Sequence, residues 1–374
     1  MEETHSGQGR GYSSRRTFLA ATAGAGAVGL AGCLSAFGSE GDDDVSPRGE
    51  PLQPDEAVSW DDLGDLDGEL VVYSGRRRTQ IMPLFEDLQD EYPDFDVTVE
   101  FDEDFNSIEQ EGENTLAHVF YTQSSGDLAR LKQEDLAFDL PDDIVDAVDA
   151  NHSDEDGMWT GASGRVRAIQ YNSDYWSAEE LPNDIFEYAE DDRFQGVIST
   201  RPNSGTFFAF IVAMMELEGE EETRNWVRKM LDDQEIELYA GGSEQANAVH
   251  EGDQQIALGN QYYAGRIISE YPDSPLEVTF TQNDPGSLFN VSGLAIPKHS
   301  RNPGLAAEFI RHVLAREGQE FFVEVNGEYP VVDDVEYIGD LPTPDEINPP
   351  EFDLNELADI DRAGDLLRDE GMTV

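Results

Sequence analysis

A single cysteine, Cys33, stands among 374 residues, so no disulfide can form within the chain and a cysteine-based metal cluster is excluded. Basic residues are scarce too. Lysine and arginine number 23 against 81 aspartates and glutamates, only Lys132, Lys229 and Lys298 are lysine, and the formal net charge is −58. Such an acid excess disfavours nucleic acid and anionic membrane surfaces as partners. It does not imply disorder, because 38 % of the residues are hydrophobic and 10 % aromatic, enough to build a core. The composition reads as a folded protein coated in carboxylates and suited to molar salt, where the Debye length falls to about 3 Å and self-repulsion is screened. That is the pattern of an extreme halophile and says little about function. Absent as well are a G-x-S-x-G nucleophile elbow and an H-E-x-x-H helix, and the six histidines have no ligand-like spacing. The chain is therefore not expected to be an enzyme.

What is present begins at the N-terminus. Ser14-Arg15-Arg16-Thr17-Phe18-Leu19 resembles a twin-arginine export signal, and the small apolar residues that follow, 19–32, form a run too short for a comfortable membrane span. Leu30-Ala31-Gly32-Cys33 resembles a lipobox, in which a signal peptidase cuts before a cysteine that is then lipidated. Residues 1–32 are thus expected to be removed and the chain anchored to the outer face of the cell membrane by lipid at Cys33. Gly24-Ala25-Gly26-Ala27-Val28-Gly29 matches the dinucleotide fingerprint G-x-G-x-x-G, but it lies inside the export signal and lacks the required strand before it.

Residues 33–66 are rich in Gly, Ser, Pro, Asp and Glu without an apolar period, the composition of an acidic disordered tether. Beyond them strand and helix patterns alternate. Glu69–Tyr73 is β-rich; Ile81, Leu84, Phe85 and Leu88 recur at i, i+3, i+4, i+7; Phe95, Val97, Val99 and Phe101 alternate. Strands are expected at 119–121, 166–172, 196–200, 255–258 and 288–297. Helices are expected at 206–217, 221–231, 243–250, 263–270, 303–314 and 319–324. The fold class is α/β with a parallel or mixed sheet, and about 310 residues exceed one comfortable core, which predicts two lobes.

Five segments carry a resemblance to a known family. They are Leu70-Val71-Val72-Tyr73-Ser74-Gly75-Arg76, the run from Val119-Phe120-Tyr121 to Gly126, Ser163-Gly164-Arg165-Val166-Arg167, Gly259-Asn260-Gln261-Tyr262-Tyr263, and the run from Gly286 to Gly293. In this order they resemble the ferric-ion-binding proteins of ABC importers over roughly residues 69–335. The resemblance implies a two-lobed type II periplasmic-binding-protein fold, with mixed sheets flanked by helices and a ligand cleft between the lobes. It would place residues 67–164 in lobe 1, 165–284 in lobe 2 and 285–330 back in lobe 1, with 331–374 as a C-terminal segment. It also implies a monomer that binds Fe³⁺ with a synergistic anion (carbonate, phosphate or citrate) and delivers it to an ABC permease.

The resemblance makes Tyr262 and Tyr263 the paired metal ligands. As residues alone, two adjacent tyrosines read equally as interfacial aromatics, one packed and one wet. Their place after the apolar Ile256-Ala257-Leu258 and before a helix puts them at a strand's carboxyl end, where α/β proteins bind ligands. Fe³⁺ is hard and prefers oxygen donors. A phenol is protonated at neutral pH, but a trivalent cation supplies the field that displaces that proton. Tyr171, ending the expected strand 166–172, is the third phenolate of some family members or else a strand-end aromatic. Arg77 stands where some members carry a histidine ligand, and Gln123 where some carry a glutamate. A guanidinium cannot ligate a cation, so a site of tyrosines completed by an exogenous anion or water is expected. By the resemblance, Ser163, Gly164 and Asn260 match anion-holding positions. Arg76, Arg77 and Arg165 are further candidate donors, although an arginine run is ordinarily a solvated surface. A protein of the same fold for a polyamine, thiamine or an oxyanion is the alternative.

Overall fold

Nine strands occur among the described residues: β1 (Gly68–Ser74), β2 (Phe95–Phe101), β3 (Val119–Thr122), β4 (Thr160–Asn172), β5 (Ile198–Thr200), β6 (Glu237–Leu238), β7 (Ile256–Asn260), β8 (Leu276–Thr279) and β9 (Phe289–Ala295). Helices α1 (Arg78–Glu91), α2 (Phe105–Glu111), α3 (Ser125–Gln133), α4 (Asp142–Asp146), α5 (Glu187–Glu190) and α6 (Gly205–Glu218) are followed by α7 (Glu220–Asp232), α8 (Gly242–Glu251), α9 (Gln261–Glu270), α10 (Pro303–Leu314), α11 (Arg316–Phe321) and α12 (Asp361–Asp369). These come from a computed structural model, which describes residues 43–374 except 338, 340, 344 and 345. The export signal, Cys33 and the first residues of the expected tether lie outside the described residues.

The strands run in the order β2-β1-β3-β9-β4-β7-β5-β6, with β8 beside β4. β1 pairs in parallel with β2 and β3, and β5 in parallel with β6 and β7, while β9 is antiparallel to both β3 and β4. The mixed sheet of the sequence reading is therefore present. β4 organises it. Its first half, Thr160 to Val166, pairs with β9, and its second half, Arg167 to Asn172, pairs with β7 and β8. All 13 of its residues are buried.

Sequence patterning exposes only the second half of β4, because Thr160-Gly161-Ala162-Ser163-Gly164 has weak strand propensity. Tertiary packing explains the small residues: a Cβ on Gly164 would lie 2.2 Å from Phe289 Cζ on the neighbouring strand. In α1 the expected face is the buried one, with Ile81, Leu84, Phe85 and Leu88 at most 1 % exposed. α6 is apolar almost all round, and Phe207 and Ala209 to Met215 are buried, as expected of a helix enclosed on several sides.

The expected disordered tether is corrected over residues 43–66. Leu52, Val58, Leu63 and Leu66 are buried, the Trp60 indole donates to the His312 carbonyl at 2.8 Å, and Ser59 donates to Glu317 at 2.6 Å. The segment docks residue by residue without a regular element, so no period betrays it in the sequence.

Four strands feed helix N-termini, and because β1 and β3 run antiparallel to β5 and β7, their carboxyl ends converge on the middle of β4 from opposite directions. β1 leads into α1, β3 into α3, β5 into α6 and β7 into α9, each through a turn of four residues or fewer. Carboxyl ends of strands with helix N-termini beside them make a natural ligand crevice.

A candidate binding cavity lined by tyrosine and arginine

Those turns, with Arg165 and Arg167 in the middle of β4, the loop after β2 and the start of α8, line a cavity of about 440 Å³. Tyr262 and Tyr263 enter it from the first turn of α9, which Asn260 precedes in extended conformation (φ −93°, ψ 143°). In a continuous strand the two side chains would point to opposite faces. Here the turn brings their rings to 4.3 Å between centroids, tilted by 43°. The Tyr263 ring occupies space over Gly242, where a Cβ would lie 2.3 Å from it. The Tyr262 hydroxyl accepts from Asn260 Nδ2 at 3.4 Å, and the Tyr263 hydroxyl accepts from Arg201 Nη1 at 3.5 Å. Burial, reinforced by the adjacent Tyr263 phenol, raises the pKa of Tyr262, so without a cation this phenol stays protonated at neutral pH.

Five arginines stand out in the rest of the lining. In a chain with 23 basic residues, Arg77, Arg165, Arg167, Arg201 and Arg266 all face this cavity. Arg165 and Arg167 stand two residues apart on β4 and so share a face. Arg165 is 3 % exposed, gives Nη2 to the Gln123 carbonyl, and leaves Nη1 without a partner. Arg167 is 5 % exposed, donates to the Leu258 carbonyl at 3.0 Å and lies over Phe210 at 4.6 Å from the ring centre. Burial alone pulls its pKa down to about 9. Arg266 lies over the Tyr262 ring and donates to the Asn326 carbonyl at 3.1 Å. The opposing wall carries Asp102, Glu103, Asp104 and Asp127. Burial and the neighbouring Asp104 push the Asp127 carboxyl up to about 6.

Of the residues singled out in the sequence, Tyr262, Tyr263, Asn260, Arg77 and Arg165 come together here. The carboxamide of Asn260 donates to Thr206 at 3.2 Å and keeps Oδ1 unpartnered. Arg77 precedes α1 and is exposed. Four others are corrected. Tyr171 lies about 13 Å further along β4 than Arg167, where its hydroxyl donates to Glu277 at 2.5 Å, and it does not line the cavity. Arg76 is buried in a bidentate pair with Glu328 at 2.8 Å for both oxygens, and also donates to Tyr121 and Ser292. Ser163 belongs to that network, donating to Glu328 at 2.6 Å. The Gly164 N–H is taken by the Tyr329 carbonyl at 2.7 Å. Neither Ser163 nor Gly164 has a donor left for an anion, because Glu328, 252 residues from Arg76 in sequence, fills the space.

The Arg76–Glu328 pair has a testable cost of disruption. Both side chains are at most 2 % exposed, and removing one partner leaves the other buried and uncompensated. Glu328→Gln should lower unfolding stability by about 3–5 kcal/mol, read by denaturant titration at fixed high salt. The exposed Arg77→Ala should stay within about 0.5 kcal/mol.

Arg167, Arg201 and Arg266 were not assigned from the sequence. The alternation Arg165-Val166-Arg167 on an expected strand was the available signal for the first. No sequence signal brings Arg201 to Tyr263, 62 positions away. Among the described residues, no group of three or more His, Cys, Asp or Glu side chains is placed to hold a metal ion.

The family model for bacterial extracellular solute-binding proteins matches residues 114–353. The major ferric iron-binding protein of Neisseria meningitidis is 28 % identical over 275 residues, which cover 71 % of this chain and 81 % of that one. Iron uptake protein A1 of Synechocystis is 28 % identical over 242 residues, covering 62 % and 66 %. Iron-bound HitA from Pseudomonas aeruginosa superposes with a TM-score of 0.75 at 27 % identity, covering 81 % of this chain and 99 % of that one.

Proposed function

The chain belongs to the bacterial extracellular solute-binding protein family, with a type II periplasmic-binding-protein fold, and from that premise we propose that it binds ferric iron through the phenolates of Tyr262 and Tyr263. Members of this family bind and pass on solutes and are not enzymes. The observation that carries the reading is the pair of phenols side by side at the carboxyl end of β7, in a cavity whose charged groups are five guanidiniums and four carboxylates. Relatives on both the sequence and the structure side are named for iron.

The chemistry follows from the donor set. Two phenolates neutralise part of the Fe³⁺ charge and give it hard oxygen donors. Guanidinium cannot ligate, so the remaining coordination positions fall to an exogenous anion or water. Arg165 Nη1, buried and unpartnered, is well suited to hold that anion, with Arg77 and Asn260 at the same cavity. The chain would then be exported, held at the outer face of the membrane through lipid on Cys33, and deliver iron to an ABC permease. The two parts of the sheet that share β4 would be the lobes that close over the ligand.

Adding ferric iron to the iron-free protein in high salt should produce a visible phenolate-to-iron charge-transfer band that saturates at one iron per chain. A protein that stays colourless while binding an anion would favour the second reading, an oxyanion carrier, which the arginine lining supports.

A further inference from the structure

The sequence holds two N-x-S/T glycosylation sequons, Asn151-His152-Ser153 and Asn290-Val291-Ser292. As sequence they are equivalent, and in a chain of an extracellular family either could serve as an acceptor. The structure separates them. Asn290 lies in β9 and is 6 % exposed; its Oδ1 accepts from the Val291 N–H at 2.8 Å and from the Ser125 hydroxyl. Ser292, which completes that sequon, is fully buried, and its hydroxyl lies 2.8 Å from Arg76 Nη1 and 2.6 Å from the Ser163 hydroxyl. β9 is paired on both sides, with β3 and with β4. Nothing short of drawing a central strand out of the sheet would bring Asn290 into an enzyme's active site.

Asn151 is placed in the opposite way. It is exposed, in the loop between α4 and β4. Its backbone N–H donates to Asp149 Oδ1 at 2.8 Å, and the His152 N–H closes a turn onto the Asp149 carbonyl at 2.7 Å. Asn151 therefore stands at the tip of that turn. Ser153 faces inward, 7 % exposed, with its hydroxyl donating to the Asp149 carbonyl at 3.3 Å. An enzyme that reads this hydroxyl has to open one surface turn held chiefly on Asp149. Such an opening belongs to the low end of local unfolding, whereas freeing β9 belongs to the global end. The difference in cost decides between the sequons.

We propose that Asn151 is a glycosylation site of this protein and that Asn290 is not. The co-substrate is an oligosaccharide carried on a lipid phosphate. In the transfer the Asn151 carboxamide nitrogen bonds to the anomeric carbon of the first sugar. The bond from that carbon to the phosphate oxygen breaks, the lipid phosphate leaves with the electron pair, and the amide proton passes to a base of the transferase. A carboxamide nitrogen is a weak nucleophile, so the reaction needs the transferase and hence an acceptor it can reach. The glycan stands clear of the binding cavity. Ser153 bridges to Thr160 at the start of β4, about 17 Å along the strand from Arg165, and no residue from 149 to 153 lines that cavity. The site is thus independent of what the cavity binds.

Peptide mass mapping tests it. The full chain is produced in a host that exports it and N-glycosylates its own surface proteins, and the purified protein is digested with trypsin. Cleavage after lysine and arginine puts the sequons on separate peptides, Gln133–Arg165 and Ile267–Lys298. The mass of a whole number of sugars is expected on the first and none on the second. Asn151→Gln should remove the sugar completely. Ser153→Ala, which keeps the asparagine but not the hydroxyl that the transferase reads, should remove it as well. A cooperative denaturant transition in high salt shows that each variant folds. An unmodified Gln133–Arg165 peptide in wild type, sugar on Ile267–Lys298, or sugar that survives either substitution overturns the assignment.

Discussion

Phenylalanine at both 262 and 263 should abolish ferric binding while the fold survives. The double substitution removes the two phenolate oxygens and almost nothing else, since the rings keep their packing on each other and over Gly242. The hydrogen bonds lost are long, 3.4 Å from Asn260 and 3.5 Å from Arg201, so the stability change should stay below about 1.5 kcal/mol. Affinity for iron should fall by more than about a thousandfold, equivalent to roughly 4 kcal/mol. Competition against a ferric chelator measures the affinity, and the charge-transfer band reports the phenolates directly. A coloured, tightly held ferric complex in the double variant would end the assignment. Binding that survives without colour would point to the carboxylate surface as the donor.

Iron binding should also be strongly proton-linked. In the iron-free protein burial raises the pKa of Tyr262, so the phenol carries its proton at neutral pH and must lose it to become a ligand. A metal site that demands deprotonated ligands releases protons as it fills and weakens as pH falls. With two phenols ionising, apparent affinity should drop about 100-fold for each unit of pH lost, once the competing chelator's own protonation is taken into account. In unbuffered titration with a ferric chelate, wild type should release about two more protons per iron than the double phenylalanine variant does. Equal release would mean that the phenols are not deprotonated, whatever else holds the iron. Asp127, with a pKa near 6, lines the same cavity and ionises over the same range. It adds negative charge as pH rises, and its substitution by Asn separates that contribution from the tyrosines'.

Much of this architecture is legible in sequence because it is local. The helix face of Ile81, Leu84, Phe85 and Leu88 is a period-3.6 pattern, and all four side chains are buried as the pattern requires. The tyrosine pair could be placed at a strand's end because an apolar run precedes it and a helical pattern follows within a few residues. Where the sequence misleads, a distant partner has settled the outcome. The first half of β4 is weak as a strand on propensity, yet it pairs with β9 at a separation no local pattern encodes. The segment 43–66 has the composition of a linker, but its scattered apolar residues find receptors on α10 and α11.

The same division runs through the site. Residue chemistry and local context alone determine that this is an acidic chain without enzyme motifs, that its fold alternates strand and helix, and that two phenols meet at a strand-to-helix turn. Three arginines in a row carry a charge but not an address. Only the tertiary structure sends Arg76 inward to Glu328, leaves Arg77 at the cavity, and lays Arg78 over Phe101. Only it denies Ser163 to an anion and leaves Arg165 and Arg167 buried without a counter-charge. The reason is physical: periodicity and propensity act over a few residues, whereas the partner that satisfies a buried charge is whichever group the folded chain brings within about 3–4 Å, however far away it lies in sequence.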